Sequence, residues 1–214
     1  MTDETTYGDE GTDDSDELYP TVPRDDLAAG GWSLRDRREE VRAEVAGFTV
    51  RAFERRYEDD TLRADVREAG GPDHLWRLFY ATRLSFTPPL PPGFGPAMAL
   101  PKVRAAAREE FAEQLREEGL VDVETGEDER FEVASGTRAK LTRYDAVLPV
   151  ATDDGECRVP MEGWLASWHD RAMLLAGGLY PAVELADILN VPDPGDDPGT
   201  SREELRSLMR RVER

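Results

Sequence analysis

The chain has 214 residues, 39% of them hydrophobic, and sets 46 acidic side chains against 27 basic ones, for a formal net charge of -19. That length and apolar content fit one ordinary core with appendages. No basic stripe offsets the acidic field, which argues against nucleic-acid binding, and no apolar run approaches the roughly 20 residues of a membrane-spanning helix.

The basic residues are almost all arginine; Lys102 and Lys140 are the only lysines. An acidic, lysine-poor chain of ordinary hydrophobicity reads as adapted to a molar-salt cytosol, where the Debye length falls to about 3 Å and like charges barely repel. The acidity therefore describes the solvent and need not describe a partner. Met1-Thr2-Asp3-Glu4 lacks the features of a signal peptide, so a cytoplasmic location is expected. Cys157 is the single cysteine, which rules out an intrachain disulfide and speaks against a thiolate zinc site. No metal or cofactor is expected.

Residues 1–30 hold ten acids and one base, Arg24, and read as a disordered acidic tail. A folded domain is expected over 31–190. Trp32 and Leu34 lead into a long extended stretch, in which Val41, Ala43 and Val45 alternate; Gly47 bends or turns it, and 48–57 continues it. Residues 61–68 predict a short helix, stopped by Gly70-Gly71-Pro72. The aromatic-rich run 75–86 predicts a central strand. A proline-rich loop around Phe94 follows.

Pro101 is placed as the first residue of a helix over 101–118, with Val103, Ala107, Phe111 and Leu115 on one stripe and Gly119 closing it. Four strands are then expected at 121–133, 137–150, 157–168 and 172–177, joined by hairpins at 151–155 and 169–171. Pro181 starts a further helix. The Pro- and Gly-rich segment 191–200 reads as a flexible linker. Ser201 and Glu204 predict a capping box for an amphipathic helix over 201–214, whose apolar face is Leu205, Leu208, Met209 and Val212. The order predicts an α+β fold, an antiparallel β-sheet with helices packed on one face.

Catalytic signatures are missing: no nucleophile elbow, phosphate loop, zinc-protease helix or calcium loop occurs. His169 beside Asp170, His74 in a loop, and Cys157 beside Arg158 read as an exposed turn residue, a loop residue and an inert thiol. No catalytic residue is assigned. Three features stand out as candidate contact sites. On a strand Trp164, Ala166 and Trp168 share a face, so the two rings either line a pocket with Tyr144 and Arg83 or pack beneath the main helix. The loop at Phe94 is either a lid or partner surface or a stiff connector. The helix bearing Leu205, Leu208 and Met209 either packs on its own domain or serves as a ligand for a partner's groove.

The segments 31–36, 79–86, 163–168 and 176–181 resemble uncharacterised haloarchaeal protein families, over about three quarters of the chain. That resemblance implies no activity and carries over no catalytic residue. The element order is also similar to the fold shared by photosystem II extrinsic subunit P and the Ran-binding protein Mog1, which implies binding or assembly. The leading expectation is a non-catalytic module that binds a protein through the C-terminal helix or the proline loop, without nucleic acid or membrane. The alternative is a small-molecule-binding protein or enzyme with a pocket near the paired tryptophans.

Overall fold

The computed structural model describes residues 16–45, 48–89, 96–152 and 155–214. Seven strands form one sheet: β1 (Trp32–Val45), β2 (Phe48–Asp59), β3 (Leu78–Thr87), β4 (Val121–Glu132), β5 (Arg138–Thr152), β6 (Gly155–Asp170) and β7 (Ala172–Pro181). Their spatial order is β1-β2-β3-β7-β6-β5-β4, and every neighbouring pair is antiparallel. The helices are α1 (Arg24–Ala29), α2 (Asp60–Glu68), α3 (Pro96–Glu117), α4 (Leu185–Leu189) and α5 (Pro198–Arg210). This is the expected α+β fold with an antiparallel sheet.

The expectation that helices pack on one face is corrected, because they cover both. Strand partners share a face, so Trp164 and its partner Gly178 lie on one side, and Gly163 and its partner Leu179 on the other. A Cβ placed at Gly178 would sit 2.7 Å from Leu205 of α5, whereas one at Gly163 would sit 3.5 Å from Phe111 of α3. The core is accordingly divided. On the α5 face Leu205, Leu208 and Met209 bury with Trp164, Trp168 and Phe79. On the α3 face Phe111 and Leu115 bury with Tyr80, Tyr144 and Met161, together with α2 and α4 residues. Both stripes of alternating residues on the central strands are thus apolar, which the near-continuous hydrophobic run of β6 and β7 requires.

Gly177 and Gly178 explain why β7 runs past the expected end at 177. A side chain at Gly178 would overlap the Leu78 carbonyl, and one at Gly177 would press on Tyr80. Glycine here marks close approach of packed elements and does not interrupt the strand. The next helix begins at Leu185, after the expected start at Pro181, and α3 begins at Pro96 with Pro101 inside it.

Two terminal expectations also change. Of the tail expected over 1–30, residues 1–15 lie outside the described residues, and 16–30 fold onto the domain. Val22 and Leu27 are buried, Thr21 and Glu213 exchange backbone hydrogen bonds of 2.9 Å, and Asp16 forms ion pairs with Arg55, Arg37 and Arg24. At the other end, the expected linker is tethered by Asp196, which accepts a hydrogen bond from the Leu185 amide at 3.0 Å. The cap of α5 is Asp197, which accepts from the Thr200 amide at 2.6 Å. Ser201 and Glu204 form no capping box. Glu204 instead accepts from Trp32 Nε1 at 2.9 Å and pairs with Arg77, which bonds Asp59 at 2.7 Å.

Candidate functional site

On β2, Phe53, Arg55 and Tyr57 point to the α5 face, so Ala52, Glu54 and Arg56 point to the α3 face. There α3 stands away from the sheet and leaves a cleft of about 270 Å3. Its floor is built by Ala52, Glu54, Tyr80, Thr82 and Leu84, and its roof by Val103, Ala107 and Phe111. Arg42, Lys102 and Glu110 stand at the cleft as its other charges. Most of the wall is apolar, with a few converging polar groups, as small-molecule sites usually are.

Glu54 is the unusual member. It is 5% exposed, and Thr82 Oγ1 donates to one of its carboxylate oxygens at 3.0 Å. The guanidinium of Arg42 stands 3.9 Å away, and is itself drawn to Glu110 of α3 and, at 3.4 Å, to Glu40. Arg42 lies at an irregularity of β1 between Val41 and Ala43; such bulges re-aim side chains. Burial, followed by the nearby Glu54 charge, raises the Tyr80 phenol well above its usual value, so Tyr80 stays neutral. Next on this face of β2 comes Arg56, which pairs with Glu118 and whose Nε is buried without a partner. The arrangement can hold an apolar group and pair a cation with Glu54.

A family described as "Domain of unknown function (DUF6517)" matches residues 19–213. The chain belongs to the DUF6517 family. No curated protein and no solved structure matches it. The DUF6517 match spans every strand and helix named above, and therefore the whole cleft.

Of the residues singled out from the sequence, Trp164, Trp168, Leu205, Leu208 and Met209 meet in one buried cluster of this DUF6517 chain, and Tyr144 and Arg83 lie apart from it. Trp164 and Trp168 are 3% and 1% exposed in the core of the α5 face. They pack neither around a pocket nor beneath the main helix α3. Tyr144 is buried on the opposite face, where its hydroxyl donates to the Arg108 carbonyl at 3.1 Å. Arg83 donates to the Glu17 carbonyl at 2.6 Å. The pocket expected near the paired tryptophans is thus corrected: its four residues lie on both sides of the sheet. Leu205, Leu208 and Met209 are fully buried, so α5 offers a partner no free apolar face. Phe94 lies outside the described residues. Cys157 Sγ donates to the Ile188 carbonyl at 3.2 Å. Among the described residues no group of three His, Cys, Asp or Glu is placed to hold a metal ion, and no helix is long and apolar enough to cross a membrane.

Sequence reasoning missed Glu54 because Arg51, Glu54, Arg55 and Arg56 give β2 the look of a solvated strand. The signal was topological. A strand with neighbours on both sides and helices over both faces buries its charges, and a buried charge needs either a partner or a ligand.

Proposed function

We propose that the chain is a small-molecule-binding protein whose site is the cleft between α3 and the β1–β3 half of the sheet. The observation that carries this reading is Glu54, a carboxylate 5% exposed in an apolar cleft, with one hydroxyl donor and a guanidinium 3.9 Å away. A buried carboxyl group left so sparsely paired is costly for stability alone. A cationic head group on an apolar body would complete its contacts and fill the cleft. The excess of acidic residues supports the second part of the reading, that this binding takes place in a molar-salt cytosol.

Titration with benzylammonium and hexylammonium ions, against benzyl alcohol and hexanoate, tests it by thermal shift and ligand-observed NMR in molar KCl. Saturable binding of the ammonium ions is expected, with at least tenfold loss in Glu54→Gln and in the cleft-filling Val50→Trp. Equal response of all four probes, or binding that survives both substitutions, would refute the cleft as the site.

A further inference from the structure

Across α3 from that cleft lies a second pocket of opposite character, about 210 Å3 in volume, under Arg104, Arg108, Lys140, Thr142 and Ser167. We propose that it binds an oxyanion of the phosphate class. The inference stands independently of the Glu54 cleft.

Arg104 and Arg108 are one helical turn apart on α3, so their guanidinium groups project to the same side, toward β5 and β6. Arg104 Nε donates to Ser167 Oγ at 3.1 Å and its Nη2 to the Ser167 carbonyl at 3.3 Å. Among the described residues no carboxylate lies within ion-pair distance of Arg104. Arg108 reaches Asp128 at 3.4 Å and Lys140 reaches it at 2.7 Å. Two of the three cations therefore share one carboxylate and the third touches none, in a protein whose overall charge is -19. Local excess of positive charge in so acidic a chain is what an anion site requires and what solubility does not.

The hydroxyls sort themselves by proton. Thr142 gives its proton to Asp128 Oδ1 at 2.6 Å. Ser167 Oγ accepts from Arg104, which leaves the serine proton free to donate to a ligand. Burial pulls the Arg104 guanidinium below its usual value, partly offset by Asp128, so an incoming anion would relieve a desolvated charge. Guanidinium forks bind tetrahedral oxyanions through paired N–H donors, and a lysine adds a point charge. The donors set here, two guanidinium groups, one ammonium and one hydroxyl, match a phosphate with its several acceptor oxygens.

Inorganic phosphate and phenyl phosphate, titrated separately at constant KCl and followed by 31P NMR, test the site and separate its two sources of ligand. Saturable binding of inorganic phosphate alone identifies the free ion; tighter binding of phenyl phosphate identifies a phosphate monoester. Arg104→Gln should weaken whichever binds by at least tenfold, Ser167→Ala by severalfold, and the exposed control Arg116→Gln not at all. Asp128→Asn removes the competing carboxylate and should tighten binding severalfold. No saturable binding of either probe, or an Asp128→Asn variant that binds more weakly than the parent, would overturn the proposal. The second result would make the cluster a purely structural network.

Discussion

Leu205→Ala separates a docked α5 from a detachable one. Leu205 is 1% exposed and belongs to the core of the α5 face. The substitution removes three carbon groups, worth about 2.4 kcal/mol at about 0.8 kcal/mol each. Its Cδ1 rests against Gly178, where a Cβ would lie only 2.7 Å away. The facing wall is therefore sheet backbone, with no side chain at that residue to swing into the gap. Little collapse is expected, so a cavity term of about 1 kcal/mol adds to the transfer term, for a total of about 3.5 kcal/mol. For a chain of this length that lowers Tm by roughly 10 °C. Urea unfolding followed by tryptophan fluorescence reads it directly, as a fall in midpoint with unchanged slope. Leu34→Ala, at an exposed position, is the control and should stay within about 0.5 kcal/mol of the parent. A loss below about 1 kcal/mol for Leu205→Ala would refute the packing argument and restore α5 as a helix free for a partner.

Alkaline titration should show phenolate absorbance rising in two phases. Tyr144 is pushed up to about 12 by burial, and burial raises Tyr57 and Tyr80 as well. A phenol raised in the folded state contributes stability that is full below its unfolded value near 10 and is lost as pH climbs toward about 12; a single phase near 10 with the fold intact would contradict this. Two carboxylates on opposite faces should respond with opposite sign to removal of their charge. Glu162→Gln should cost about 2 kcal/mol, since it unpairs donors that meet a buried carboxylate, discounted for the half-exposed arginines. Glu54→Gln should leave the free protein as stable as the parent or more stable by about 1 kcal/mol. Equal denaturant midpoints for these two variants would remove the distinction between them.

Much of the framework follows from local pattern. The stripe of Ala107, Phe111 and Leu115, the stop at Gly119 and the apolar alternation of β5 all sit where periodicity places them. What pattern does not carry is which side of the sheet a helix takes. The apolar faces of α3 and α5 read alike, and only the connections decide that they lie on opposite sides. Trp164 and Trp168 share a face as alternation requires, yet whether a ring faces ligand or core depends on that undetermined side. Glu204 shows the same limit at a single residue. Its spacing from Ser201 suits a capping box, but Trp32 and Arg77, remote in sequence, offer better partners. Glu54 and Arg104 were hidden for another reason: in a chain this acidic and arginine-rich, a functional charge has no local mark.

The pairing of buried charges then distinguishes the two faces. On the α5 face Glu162, 1% exposed, accepts from Trp164 Nε1 at 2.9 Å, from both Nε and Nη2 of Arg202 at 2.9 Å, and from the Tyr180 hydroxyl. Arg143 adds an ion pair at 3.0 Å. Asp59 likewise caps α2 through the Leu62 amide while holding Arg77. These carboxylates are saturated with protein donors and join α5, α2 and the sheet; a ligand has nothing left to offer them. On the α3 face the polar groups are undersupplied. Glu54 has one hydroxyl donor, and Arg104 has a serine but, among the described residues, no carboxylate in contact. Unsatisfied groups beside open volume cost stability, and a fold that needed them only for stability would do better with apolar residues. The contrast between Glu162 and Asp59, each held by several protein donors beside α5, and Glu54 and Arg104, each short of an opposite charge in direct contact on the flanks of α3, is the physical reason for assigning structure to one face and binding to the other.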